Sequence, residues 1–442
     1  MSKLLQFANF QELINWSVKT NLSSLIESKY KVVTLGNHII EQKDKVKPFD
    51  FPEDDFKILG VSNKIGLFDN EIKKGKEINQ SYKIVKDGYL AYNPYRINVG
   101  SIGIKTDEQK YNLISPAYVV FSCKATLLPE FLFLIFKTQT FNIIINESTR
   151  GSVRQILAFD ILETLKIPLP SIEKQKEIVN KYHEKLNLSK EQEIEASQKE
   201  SDIEKYLYEM LGIKKNIATN DKNSNLQFIN FKNMIHWGYD QIYTNSVFKS
   251  KYSIKTLDSS INFKKKPFVK KIYEKDFFEY VDISSVDPLL GIVSSQSIKL
   301  NEAPSRATQY INTGDLMIAT TRPYLKKFAI VEEKYNDNIC SSGFTVIEYS
   351  PNKYNLEYIK EFLQSYYGIE QMKEKMTGGL YPAITLKELK NIKIPFPDIN
   401  IQNEIAYKIE LLKNEIKLFN QQSEQNKDLA IQDFESEIFN EA

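Results

Sequence analysis

No stretch of this chain approaches the roughly 20 consecutive apolar residues that a membrane span needs. The N-terminus offers Lys3 without an apolar segment or a small-residue cleavage site behind it, so a cytoplasmic protein is expected. Cysteine is nearly absent. Cys123 and Cys340 do not fall at matching positions, and the three histidines, His38, His183 and His236, have no zinc-like spacing, so free thiols and no metal are expected. Glycine is scarce as well: 16 glycines in 442 residues include no Gly-x-Gly turn after an apolar run and no Walker-type phosphate loop. A formal charge of +2 lacks the excess of lysine and arginine usual in proteins that track a phosphate backbone, so any DNA surface must be local.

What is present is a repeat. Residues 5–16 read Leu-Gln-Phe-Ala-Asn-Phe-Gln-Glu-Leu-Ile-Asn-Trp and residues 226–237 read Leu-Gln-Phe-Ile-Asn-Phe-Lys-Asn-Met-Ile-His-Trp. Trp16 and Trp237 lie 221 apart (237 − 16), Arg96 and Arg322 lie 226 apart (322 − 96), and Gln175 and Gln402 lie 227 apart (402 − 175). A period this long exceeds the roughly 20–50 residues of solenoid and propeller units, so it marks a duplicated domain. The length also exceeds the roughly 250–300 residues at which single cores stop growing. With 42% hydrophobic and 26% charged residues, 25 Tyr and 26 Phe, two folded domains are expected.

Each half passes through short β-rich runs, such as Tyr118–Phe121 and Phe344–Ile347, separated by turn-like clusters, which predicts α+β domains. After Ile167-Pro168-Leu169-Pro170, and again after Ile394-Pro395-Phe396-Pro397, the composition turns to Glu, Lys, Gln and Ile and predicts two long helices. Tyr182, Ser189, Ala196, Ile203 and Met210 recur every seven residues, and shifting by 227 gives Ile409, Ile416, Ser423, Ala430 and Glu437. The expected division is a globular domain at 1–170, a long helix at 171–212, a linker at 213–225, a second domain at 226–397 and a second long helix at 398–442. About forty helical residues at roughly 1.5 Å each span about 60 Å, enough to hold two domains apart as an antiparallel, pseudo-twofold pair. The plainer alternative packs each helix on its own domain.

A globular domain, a Pro-x-Pro hinge and a Gln-x-x-Ile helix start (Gln175 to Ile178, Gln402 to Ile405), all repeated, resemble the specificity subunit of Type I restriction–modification systems over essentially the whole chain. Glu173 precedes the first glutamine as in the family pattern, whereas Asn400 replaces it in the second copy. The resemblance implies two target-recognition domains that read the halves of a split, gapped double-stranded DNA site, with the helices as a ruler. It further implies two methyltransferase subunits as partners, a restriction subunit in two copies where the operon carries one, S-adenosylmethionine in the methyltransferase, and ATP with Mg in the restriction partner. Because the copies have diverged, two different half-sites are expected.

Arg96 and Arg322 stand at matched positions after a Gly-containing turn. An arginine fork suits guanine or phosphate, and equally an intradomain ion pair. Arg306, Tyr324, Lys326 and Lys327 enrich the second patch. Arg150, Gly151 and Arg154 in the first half, and Gly378, Gly379 and Tyr381 in the second, lie on matched loops in which Gly151 corresponds to Gly378, and these would let backbone approach a phosphate or form an ordinary turn. Lys264, Lys265, Lys266, Lys270 and Lys271 offer a phosphate track or a solvated surface. Trp16 and Trp237 read as core anchors. Ile178, Tyr182 and Leu186 with Ile405, Ile409, Leu412, Ile416 and Phe419 form an apolar seam, expected to join the helices to each other and to the methyltransferase.

No catalytic residue is expected. Asn93-Pro94-Tyr95 lacks the second proline of an amino-methylase motif, and Asp55-Phe56-Lys57 is too short to mark a nuclease. Chemistry should come from partners. The competing readings are the recognition part of another combined restriction–modification enzyme or a solitary methylase, which a donor-binding motif would reveal, and a coiled-coil scaffold, which would not bind DNA in a salt-dependent way.

Overall fold

The computed structural model describes residues 26–148, 156–214, 247–379 and 382–439. The repeated openings with Trp16, Trp237 and His236 lie outside the described residues. The chain divides into two compact units, Met1–Glu193 with Gln421–Ala442, and Ile194–Asn420, so each long helix is shared out between them. Among the described residues, no helix is long and apolar enough to cross a membrane.

In the first unit a four-stranded antiparallel sheet runs in the order Ile39–Glu41, Val119–Cys123, Leu90–Tyr92, Ile102–Ile104. A five-stranded sheet beside it contains the long hairpin of Asp55–Ser62 and Gly66–Lys74, and joins Asp55–Ser62 in parallel to Leu113–Ile114. The helices Pro129–Ile135 and Gln139–Ser148 follow. In the second unit Phe328–Ile330, Leu316–Ala319 and Phe344–Ile347 form the corresponding central sheet, and a four-stranded sheet carries Gln296–Lys299, Phe277–Val281, Ile339–Ser341 and Ala307–Tyr310. The helices Leu356–Gln364 and Tyr366–Lys375 complete it. Each domain's beginning is stitched to its end. Val32–Thr34 pairs with Lys166–Pro168, and Ile254–Thr256 pairs with Lys393–Pro395, so the first proline of each hinge sits in an edge ladder.

The two long helices, Ile172–Leu211 and Ile399–Ile438, contain neither glycine nor proline. Ser171 Oγ accepts from Lys174 N at the first start, and Asp398 Oδ1 accepts from Asn400 N and Ile401 N at the second, satisfying donors that an uncapped helix leaves open. Gly212, at φ 65, ends the first helix. Its N–H bonds Glu209 O and that of Ile213 bonds Tyr208 O, the paired reverse bonds of a left-handed helix cap.

Spacing of three and four residues puts Gln175, Ile178, Val179 and Tyr182 on one face, and Gln402, Ile405, Ala406 and Ile409 on its counterpart. The glutamines are buried and work alike. Gln175 Nε2 donates to Pro170 O and Thr126 O while its Oε1 accepts from Leu128 N; Gln402 Nε2 donates to Pro397 O while its Oε1 accepts from Asn355 N.

Each unit's core takes in both helices. Ile178, Val179, Phe434 and Ile438 join Phe121, Phe131 and Phe141 in the first, and Leu207, Leu211, Ile405 and Ile409 join Leu316, Phe344 and Phe362 in the second. Helices that pack only on their own domain are therefore ruled out. Within the first unit the helices run antiparallel, with Lys185 paired to Asp433, Glu193 to Lys427, and Ser189 Oγ bonded to Ser423 Oγ at 2.8 Å. The heptad row is buried at Ser189, Ala196, Ile409, Ile416, Ser423 and Ala430. Glu437 leaves the seam: hydrogen bonds from Tyr30 Oη and Lys29 Nζ hold its carboxyl at about 2, well below the usual range.

The apolar seam expected to reach the methyltransferase as well as the partner helix is largely taken up by the fold. Ile178, Ile405, Ile409, Leu412 and Ile416 are buried inside the chain, and Tyr182, Leu186 and Phe419 are half-buried, so this seam serves the fold and offers little surface to a methyltransferase. Gln175→Leu should lower stability by roughly 2–4 kcal/mol, because Thr126 O, Pro170 O and Leu128 N lose their partners together in a dry site. Denaturant unfolding of the full chain checks this, and a loss below about 0.5 kcal/mol would show the clip to be dispensable.

Candidate nucleic-acid interface

A buried strand in each unit delivers an arginine to the surface. After Leu90–Tyr92 the chain turns through Asn93 and Pro94 to Arg96, which opens the 3-10 turn Ile97–Val99. After Leu316–Ala319 it turns through Thr320 and Thr321 to Arg322, which opens the 3-10 turn Pro323–Leu325. Ile97 and Pro323 point inward as anchors while both arginines are exposed. Each turn ends in a left-handed residue, Gly100 at φ 81 and Lys326 at φ 55. Arg322 is itself left-handed at φ 50, a conformation that costs a non-glycine residue about 1–3 kcal/mol and persists only where surrounding bonds enforce it.

Those bonds come from the glycine loop. Arg322 N donates to Pro382 O at 2.8 Å, Ile384 N to Thr320 O at 2.9 Å, and Ala383 bridges both Thr321 and Thr377. Gly378, at φ 97, and Gly379, around which space is open, therefore lie beside the Arg322 turn. In the first unit the matching bond is Leu157 N to Pro94 O at 3.0 Å, which brings the segment after Arg154 to the Arg96 turn. Arg150, Gly151, Arg154 and Tyr381 lie outside the described residues.

Arg306 joins the second patch through its carbonyl, which accepts from Ser342 N, while Gly343 O next door accepts from Thr320 N and Oγ1. Tyr324 and Lys326 are exposed, and Lys327 reaches back to Ile283 O. The lysine run follows the edge of Ala307–Tyr310: Phe268 N donates to Thr308 O and Tyr310 N to Lys266 O, so its far end runs towards Arg306. Lys265, Lys270 and Lys271 are exposed there, and Lys266 lies 4.9 Å from the Tyr310 ring centre with Asp337 at 3.5 Å.

Lys264 does not belong to this track. Its side chain is 8% exposed and its ammonium bonds Asp315 Oδ2 and Asn312 Oδ1, each at 2.5 Å, while Asp315, 2% exposed, also accepts from Asn312 N and Tyr349 N. The charge is spent on a buried pair and has none left for a phosphate.

Two residues escaped sequence reasoning because the copies differ there. Lys137 and Gln364, at the ends of matched helices, both hold the last carbonyl of the arginine turn: Lys137 Nζ lies 3.3 Å from Gly100 O and Gln364 Nε2 2.9 Å from Lys326 O. Burial pushes the Lys137 ammonium below the ordinary lysine range. Burial likewise pushes the thiols of Cys123 and Cys340 up to about 12, leaving both protonated. Among the described residues no group of three or more His, Cys, Asp or Glu is placed to hold a metal ion.

A family described as the Type I restriction modification DNA specificity domain matches residues 60–205 and 250–426. The chain belongs to that family and carries its domain twice; it is a DNA-recognition subunit of a type I restriction–modification system. No curated protein matches it. Among solved structures, a chain from work on complex assembly and conformational transition of the type I R-M system shares the fold at a TM-score of 0.59 and 15% identity, covering 94% of this chain and 99% of that one. The HsdS subunit from Thermoanaerobacter tengcongensis is similar at 14% identity and a TM-score of 0.48, over 92% of this chain and 96% of its own.

Lys264→Met should cost about 3–5 kcal/mol, because it strands the Asp315 carboxylate in the core. Lys270→Ala and Lys271→Ala should leave stability within about 0.5 kcal/mol. Thermal or denaturant unfolding of the three variants separates the buried cation from the surface ones, and equal midpoints would overturn the distinction.

Proposed function

We propose that the chain is the non-catalytic subunit that reads a bipartite, gapped double-stranded site, with one domain on each half-site, and positions two methyltransferase subunits over it. Where the system carries a restriction subunit, two copies would be recruited as well. The observation that carries this reading is the duplicated arginine turn. Two readers on one chain with different side chains fit a site whose halves differ, and helices of about 60 Å suit the task of fixing a half-site spacing. S-adenosylmethionine would be held by the methyltransferase, and ATP with Mg by the restriction partner. Arg96, Arg306, Arg322 and the exposed lysines would supply phosphate and base contacts, and the open backbone at Gly379, next to Gly378, a close approach.

The methyltransferase needs an apolar surface that the fold does not consume. On the second long helix Tyr407, Leu411 and Leu418 are exposed at spacings of four and seven, off the buried row of Ile405, Ile409 and Ile416. This stripe is the proposed docking surface. Leu411→Glu with Leu418→Glu should abolish co-purification of the methyltransferase without moving the melting midpoint of the free chain; undiminished co-purification would remove the stripe from the proposal.

The central test is co-expression with the neighbouring methyltransferase in a methylation-free host, followed by single-molecule mapping of modified bases. Methyladenine within one gapped, asymmetric motif is expected. An active methyltransferase in a stable complex that modifies no such motif would point to a scaffold.

A further inference from the structure

Beside each arginine turn stands a second turn, also duplicated. In the first unit it joins Asp55–Ser62 to Gly66–Lys74, and in the second it joins Val286–Asp287 to Gly291–Ile292. The pairings Ser62 with Gly66 and Asp287 with Gly291 are equivalent, both glycines have positive φ, at 72 and 81, and the offset is 225 (291 − 66). The tips are built alike: Ser62 Oγ accepts from Ile65 N, and Asp287 Oδ1 accepts from Leu289 N and Leu290 N. Immediately before each glycine stands an aliphatic residue in solvent, Ile65 at 68% and Leu290 at 52% exposure.

The arginine turns show the same device. Their third residues, Val99 and Leu325, are 51% and 44% exposed at an offset of 226 (325 − 99). One side chain in each unit ties the two turns together. Lys137 Nζ bonds Asn63 O at 3.5 Å as well as Gly100 O, and Gln364 Nε2 bonds Pro288 O at 3.3 Å as well as Lys326 O. The latch residues lie 227 apart (364 − 137) and differ chemically, yet reach the same two carbonyls.

Exposed Ile, Val and Leu at the apices of locked turns add nothing to a core, and their recurrence in both diverged copies calls for a ligand. The surroundings suit a polyanion. Residues 62–66, 93–100 and 320–327 contain no acid but carry Lys64, Arg96, Arg322, Lys326 and Lys327, and the one acid of the remaining turn, Asp287, has its Oδ1 occupied by backbone N–H groups. A narrow two-stranded ribbon fits the major groove, where the thymine methyl is the apolar group on the base edges.

Resting on the reading of the chain as a DNA-recognition subunit, we propose that Ile65 with Val99 and Leu290 with Leu325 are apolar base-edge contacts to thymine methyls, one pair per half-site, with Lys137 and Gln364 as their positioning residues. The pairs determine which A·T positions are read, and the neighbouring cations hold the backbone.

The experiment maps modified motifs for the full chain co-expressed with its methyltransferase, as wild type, Ile65→Asn and Leu290→Asn, with Ile65→Ala and Leu290→Ala as milder variants. Each substitution is expected to relax or change one half-site only, a different half for each, with melting midpoints unchanged. In binding assays with the wild-type complex, replacing thymine by uracil in one half-site should weaken binding about fivefold or more, and the corresponding Asn variant should lose that sensitivity. Lys137→Leu should relax the same half-site as Ile65→Asn, and Lys137→Gln, which installs the other copy's latch, should keep it. A wild-type gapped motif that survives both Asn variants, or a half-site of G·C pairs alone, overturns this assignment and leaves the recognition role intact. A wild-type complex that modifies no gapped motif overturns both.

Discussion

The buried side-chain amides of Gln175 and Gln402 hold the architecture together. Each bonds the hinge proline carbonyl that precedes its helix and the backbone N–H that precedes the next domain helix, so hinge, long helix and domain are fixed as one rigid joint. A joint of this kind needs a residue that donates and accepts at once from a nearly dry position, and an amide does so without the cost of burying a charge. If the helices are to set a distance between two readers, that stiffness is indispensable.

The far ends of the helices are secured by different means. Glu435, late in the second long helix, accepts from Gln139 N and Thr140 N at the start of Gln139–Ser148, and Glu204, late in the first, accepts from Tyr366 N at the start of Tyr366–Lys375. Carboxylates at helix N-termini satisfy open N–H groups and favour the helix dipole. Ser28-Lys29-Tyr30 and Ser250-Lys251-Tyr252 perform another shared task, since Ser28 Oγ bonds Ile438 O and Ser250 Oγ bonds Leu211 O. Each domain thus caps the end of the long helix that follows the other domain in sequence.

The copies diverge where the joints must be told apart and where bases would be read. Glu361 in the second unit is buried and bonded to Lys413 of the second helix at 2.5 Å, whereas the matched positions in the first copy are Leu134 and Leu186. A carboxylate–ammonium pair and two leucines cannot be exchanged singly without burying an unpaired charge. At the arginine turns Gly100 is matched by Lys326, which places a cation where the first copy has only backbone.

The sequence by itself determined the duplication, the α+β domains, the Pro-x-Pro hinges and the buried heptad row, because each depends on local periodicity or on residues that survive in both copies. It also singled out Arg96 and Arg322, which are identical in the two copies. Tertiary structure alone decided that each core recruits both long helices, that the seam of Ile405, Ile409 and Ile416 is consumed by the fold, and that Lys264 is buried against Asp315 while Lys270 and Lys271 stay in solvent. Lysines in one run are equivalent as letters, and only the packing of Asn312, Asp315 and Tyr349 around one of them makes it different. The latch of Lys137 and Gln364 was invisible for a related reason: backbone carbonyls accept from an ammonium or an amide alike, so selection for that bond leaves no common residue behind.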